Sequence, residues 1–191
     1  MVRRYRDEPV ARDVVERIVT TALRGPSAGF SQGLRLVVVT EAAQRGRIAA
    51  VCDEDTYTAA GMPAWLSTAP VHVVVTVRED DYRERYAEAD KGTAGGPGAW
   101  SAPYWWVDAG AALMLLLLAA VDEGLGAGVL DLGEPHALRE VLSIPTDVAP
   151  VCLVTLGHPE GGLQPLGSAR RGRKPPSRTI FWNAWGGRGR M

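Results

Sequence analysis

Arg3-Arg4-Tyr5, Pro9-Val10 and the run Gly25-Pro26-Ser27-Ala28-Gly29-Phe30-Ser31-Gln32 frame a segment in which Val14, Val15, Ile18, Val19, Ala22 and Leu23 recur at the helical period. Arg12, Asp13, Glu16 and Arg17 fill the opposite face, so the segment reads as an amphipathic helix. Gly25-Pro26 ends it, because glycine suits a helix C-terminus and proline cannot continue one. The loop that follows is small, polar and permissive, and a run of strand formers, Leu34 to Val39, comes next. A loop of this composition serves either as a plain connection or as a place where backbone N–H groups approach a flat or anionic ligand.

Further along, Thr40 is placed to cap a helix running to about Val51, and Cys52 to Met62 is polar and turn-like. Val71 to Val77 reads as a second strand. Arg78 to Asp90 alternates charges, with Tyr82 and Tyr86 four apart, which predicts a solvated helical excursion. Gly92, Gly95, Gly96, Pro97 and Gly98 compose a mobile linker that delivers Trp100, Pro103, Tyr104, Trp105 and Trp106. Ala109 to Val121 is an apolar helix needing cover on every side, and Asp122-Glu123 ends it short of a membrane span. Val129 to Leu132, a helix from Pro135 to about Leu142, and a last strand from Val151 to Leu156 complete the order. Helices and strands mix without regular βαβ repetition, which predicts an α+β fold in one domain, 1–191, with an aromatic and glycine-rich excursion at about 78–107.

Composition narrows the function. A chain of 191 residues with 46% hydrophobic and 23% charged content is globular, and a net charge of −1 sets up no global field for nucleic acid or anionic lipid. Cys52 and Cys152 are too few for a disulfide framework, and His72, His136 and His158 lack metal-ligand spacing. His72, inside a strand, is expected to be structural. Gly124-Leu125-Gly126-Ala127-Gly128 follows a helix and precedes a strand, the reverse of the order a dinucleotide fold requires. There is no Ser-His-acid, Cys-His or paired-carboxylate arrangement, so no side chain is assigned as catalytic. No signal peptide is recognised, and a cytoplasmic location is expected by default.

Taken in order, Arg-Arg-aromatic, Pro-Val, the amphipathic helix and Pro26-Ser27-Ala28-Gly29 with Gln32 resemble the opening of the FMN-dependent nitroreductase family. Val107-Asp108-Ala109-Gly110-Ala111-Ala112 and the helix to Gly124-Leu125-Gly126 resemble that family's central helix and its exit. Val151 to Gly157 with His158-Pro159, and Arg171-Gly172-Arg173-Lys174-Pro175 followed by Phe181-Trp182, resemble its late strand and basic C-terminal segment. Members usually carry a further Arg-Arg-Ser or similar upstream; here Met1 stands at that serine's place, so either the true start lies upstream or FMN is held with fewer contacts. Phe30 stands where many members have asparagine, a likeness to the branch of dimethylbenzimidazole synthases.

The resemblance implies a homodimer with a mixed or antiparallel sheet, its active site across the interface and the Ala109–Val121 helix buried between subunits. It implies non-covalent FMN, held at Arg3, Arg4, Pro26, Ser27, Ala28, Gly29, Gln32, Leu130, Asp131, Leu132, Arg171, Arg173 and Lys174. Arginine forks suit phosphate oxygens, and a backbone donor near Leu130 to Leu132 would tune the ring. Phe30, Trp100, Tyr104 and Trp105 are candidate substrate contacts, with packing or dimer contact as the alternative for the aromatics. The implied reaction is ping-pong transfer from NADH or NADPH to a nitroaromatic, quinone or flavin acceptor. Oxygen-dependent flavin fragmentation and non-enzymatic flavin binding are the alternatives.

Overall fold

A computed structural model describes residues 1–91, 96–133, 135–161 and 167–187. The chain divides into two compact units, Met1–Gly161 and Gly162–Met191.

In the first unit, β1 (Leu34–Val39), β2 (Val71–Arg78), β3 (Gly126–Asp131) and β4 (Val148–Gly157) form one sheet of order β1-β2-β4-β3. Every pairing is antiparallel. β2 is central and buried along nearly its whole length, which explains its uninterrupted apolar run. On one face lie α1 (Arg12–Ala22) and α6 (Tyr104–Asp122), where Val15, Ile18 and Ala22 meet Leu116, Ala120, Val71, Val73 and Val154. On the other face lie α2 (Ala42–Val51), α4 (Trp65–Thr68) and α7 (His136–Leu142), where Ile48, Trp65, Leu66 and Leu138 pack on Val74 and Leu153. The architecture is α+β, as the mixed element order predicts.

Several boundaries differ from the sequence reading. The polar run after Cys52 contains α3 (Glu54–Ala59), and α2 starts at Ala42 after Glu41 rather than at a Thr40 cap. Pro135 does open α7, as its N-cap, its carbonyl accepting from Arg139 N–H at 2.9 Å. β3 starts at Gly126, so Gly126 and Gly128 are strand residues. Their lack of a side chain lets the N-terminal segment run alongside: Val2 N–H donates to the Ala127 carbonyl at 2.8 Å. A Cβ on Gly128 would lie 2.6 Å from the Trp65 ring and 2.7 Å from the Val2 oxygen. The charged excursion is α5 (Glu79–Tyr86), tied down by a fully buried Tyr82 rather than wholly solvated. Gly92 and Gly95 lie outside the described residues.

The largest difference is α6. It starts at Tyr104, so Tyr104, Trp105 and Trp106 form its first turn and not a loop. Pro103 takes the N-cap, where its missing N–H costs nothing. At the other end Gly124 adopts φ 73° and Leu125 N–H returns to the Ala120 carbonyl at 2.8 Å, closing the helix. Trp105, Ala109, Ala112, Leu116 and Ala120 are buried, while Val107, Met114, Leu118 and Val121 are exposed on the opposite side. By length and composition this helix could cross a membrane, with mean hydropathy 1.7, yet one of its faces is committed to the sheet and α1.

Candidate functional site

The loop after α1 is held in a strained shape. Gly29, Phe30 and Gln32 have φ of 62°, 59° and 52°, the left-handed region, which costs a non-glycine residue about 1–2 kcal/mol. Four hydrogen bonds involving side chains hold that geometry. Ala28 N–H donates to Asp108 Oδ2 at 2.9 Å, and Arg85 Nε donates to the Gly29 carbonyl at 2.9 Å. Gln32 N–H donates to Ser27 Oγ at 3.1 Å, and Ser31 Oγ to the Ala28 carbonyl at 2.6 Å. Gly29 has a second reason to be glycine: a Cβ there would sit 2.6 Å from the Tyr86 ring.

Pro26, Ser27, Phe30 and Gln32 line a cleft of about 410 Å³ with Leu23, Arg24, Leu34, Tyr82, Asp108 and Ala112. Phe30 is 72% exposed on its wall. Beneath, Tyr82 donates its hydroxyl to Asp108 Oδ2 at 2.7 Å, and burial together with that bond raises its pKa. Trp100 sits edge-on to Tyr82, Tyr86 and Tyr104, with centroids at 6.4, 4.7 and 5.1 Å. Trp105 is 8% exposed and packs with Tyr82 and Val77 as core, whereas Tyr104 stays exposed.

A second group lies on the far edge of the sheet. Arg3 places its guanidinium 5.3 Å from the Trp65 ring centroid, a cation–π contact, and lies within 4.0 Å of Met62 Sδ. Arg4 is exposed and its carbonyl accepts from Glu160 N–H at 3.0 Å. Tyr5 anchors the segment: its hydroxyl lies 2.7 Å from Thr155 Oγ1, and burial pushes its pKa up to about 12. Leu130 and Leu132 pack toward the Trp65 side, and Asp131 is exposed.

α4, which presents Trp65, is fixed by a buried polar knot. Glu54 accepts from Leu66 N–H at 2.6 Å and from Ser67 N–H. His72 Nε2 bonds the Leu66 carbonyl at 2.8 Å, so Nε2 carries the proton and Nδ1 is left buried without a partner. His72 is therefore structural, as the sequence suggests.

The two groups are not adjacent. Leu36, Val75, Cys152 and Asp131 are successive register partners, so β1 and β3 face each other across three strand spacings, roughly 14 Å. Arg171, Arg173 and Lys174 belong to the second unit and are exposed there. Asp108, Tyr82 and Arg85 carry no role in the sequence reading. From the sequence the apolar helix is expected to start at Ala109; with α6 beginning at Tyr104, Asp108 is a carboxylate set within its apolar first half, a signal that could have pointed to it.

Residues 1–158 match the model of the Nitroreductase family, and the chain belongs to that family. The FMN reductase [NAD(P)H] of Bacillus subtilis is 28% identical over 83% of this chain and 61% of its own length. The chain thus spans about three fifths of that relative. A NADH dehydrogenase of Thermus thermophilus is 28% identical over 95% of this chain and 90% of its own length. Among solved structures, the hypothetical oxidoreductase YcnD from Bacillus subtilis superposes with a TM-score of 0.72 at 25% identity, covering 96% of this chain and 70% of that one.

Proposed function

We propose that this chain is a cytoplasmic, homodimeric, FMN-dependent oxidoreductase that takes electrons from NADH or NADPH and reduces an electron-poor acceptor. The observation that carries the reading is the cleft beneath the Ser27–Gln32 loop, where the backbone is held left-handed and apolar walls meet polar edges. Leu23, Phe30 and Ala112 suit a flat ring, and Ser27 and Gln32 supply polar groups at its rim. The names of the relatives, an FMN reductase and a NADH dehydrogenase, support the same chemistry. When bound, FMN supplies a ring that accepts two electrons from the nicotinamide and passes them on in a second half-reaction.

The chain's own residues bind, orient and exclude water. Arg3, steadied on Trp65, offers a fixed positive charge to the phosphate, with Arg4, Arg171, Arg173 and Lys174 as further candidates. Backbone around Leu130, Asp131 and Leu132 offers N–H groups to the ring edge, and Phe30, Trp100 and Tyr104 wall the acceptor. Because the loop and β3 occupy opposite edges of one sheet, a dimer is needed to bring one copy's loop to the other's β3. Val107, Met114, Leu118 and Val121 form the exposed apolar stripe that a second copy would cover.

The test is direct. The purified protein, loaded with FMN, should show the visible flavin spectrum, bleach anaerobically with NADH or NADPH, and recover when a quinone or nitroaromatic is added. A chain that takes up no FMN refutes the proposal. A yellow chain that no nicotinamide bleaches leaves only flavin binding, and dimethylbenzimidazole formed in air would mark the fragmenting reaction instead.

A further inference from the structure

We propose that Asp108 is a positioning residue that sets the shape of the Ser27–Gln32 loop and, through it, the grip on the flavin; this rests on the flavin-binding reading above. An ionised carboxylate on an apolar helix is costly unless donors meet it. Here two donors distant in sequence converge on Oδ2: the Ala28 amide at 2.9 Å and the Tyr82 hydroxyl at 2.7 Å. Tyr82 is itself fixed, fully buried and edge-on to Trp100 and Trp105. Its hydroxyl orients the carboxylate, and the carboxylate draws the Ala28 amide inward just before the backbone turns left-handed at Gly29 and Phe30. Arg85 of α5 holds the Gly29 carbonyl from the other side. Two peptide groups flanking the turn are thus gripped from two helices, and the side chains of Ser27, Phe30 and Gln32 are left to face the cleft.

The experiment compares wild type, Asp108→Ala, Asp108→Asn and Tyr82→Phe. Each flavin-free protein is titrated with FMN by absorbance, its Ala28 amide exchange is followed by NMR, and its thermal midpoint is recorded. Asp108→Ala should lose Ala28 protection and bind FMN about tenfold more weakly, the weight of one charge-assisted hydrogen bond. Asparagine keeps an acceptor oxygen and should stay within about threefold of wild type. Tyr82→Phe should keep the Ala28 bond, exchange faster there and bind a few-fold more weakly. If Asp108→Ala does not fold, Tyr82→Phe with unchanged exchange and affinity overturns the role. Wild-type affinity in a folded Asp108→Ala overturns it and leaves the flavin reading standing. A wild type that takes up no FMN sinks the flavin reading and the grip with it, while Ala28 exchange still reports whether Asp108 shapes the loop.

Discussion

Replacing His72 by glutamine isolates the cost of a buried imidazole that has no room for a second proton. His72 is fully buried, its Nε2–H is committed to the Leu66 carbonyl, and Nδ1 faces no partner. Burial is the main reason its pKa falls from 6.5 to about 4, with the nearby positive charge of Arg45 adding to it and the Leu66 bond opposing it. The sign follows from linkage. Between pH 6.5 and 4 the unfolded chain holds a proton that the folded chain refuses, so acidification favours unfolding. The stability present above pH 6.5 is lost as pH falls, and the loss levels off below about 4, reaching about 3 kcal/mol in all. Between pH 7 and pH 5 the share is about 2 kcal/mol. Glutamine can still donate to the Leu66 carbonyl but does not titrate. Urea unfolding followed by tryptophan fluorescence at pH 7, 6 and 5 should give a wild type that loses about 2 kcal/mol more than His72→Gln over that range. Parallel pH dependence of the two proteins would refute the reasoning, whatever their difference at pH 7.

If Arg3 meets the cofactor's phosphate as proposed, Arg3→Ala should weaken FMN binding by about tenfold and flatten its salt dependence, with little change in thermal midpoint, because one arginine charge is lost. Gly128→Ala should destabilise by about 1–3 kcal/mol in urea, because its Cβ would press on both Trp65 and the Val2 backbone. Leu118→Glu, on a side chain 59% exposed in the single chain, should convert a dimer to a monomer by light scattering and lower FMN occupancy. A monodisperse Leu118→Glu dimer would exclude the α6 stripe as the interface.

Much of this was legible in the chain itself. Helical spacing marked α1, and runs of strand formers marked β1, β2 and β4, because α1 buries one regular face while β2 and the second half of β4 are buried on both. The loop was legible through its small residues, and at Gly29 a left-handed φ together with close packing against Tyr86 admits little else. The start of α6 was not, because three large aromatics after a glycine-rich run carry no helical signature until Tyr82 and Trp100 supply their packing. The start of β3 was hidden for a similar reason. Gly126 and Gly128 look like turn residues until the N-terminal segment is laid against them. Asp108 was not legible, because the helix start was read one residue too late to include it, and its two donors arrive from elsewhere in the sequence so that only the fold joins them.

The double anchoring of the Ser27–Gln32 turn has an evolutionary consequence. One tether comes from α5 and the other from α6, and both are braced by residues between those helices: Asp90 pairs with Arg85, and Trp100 packs edge-on to Tyr82, the partner of Asp108. On the flavin-binding reading proposed above, a lineage can rewrite that intervening sequence, and so diversify what reaches the ring, only where it keeps partners for Arg85 and Tyr82. Swapping this insert between homologues while Asp90 and Trp100 are kept should transplant acceptor preference and spare coenzyme retention.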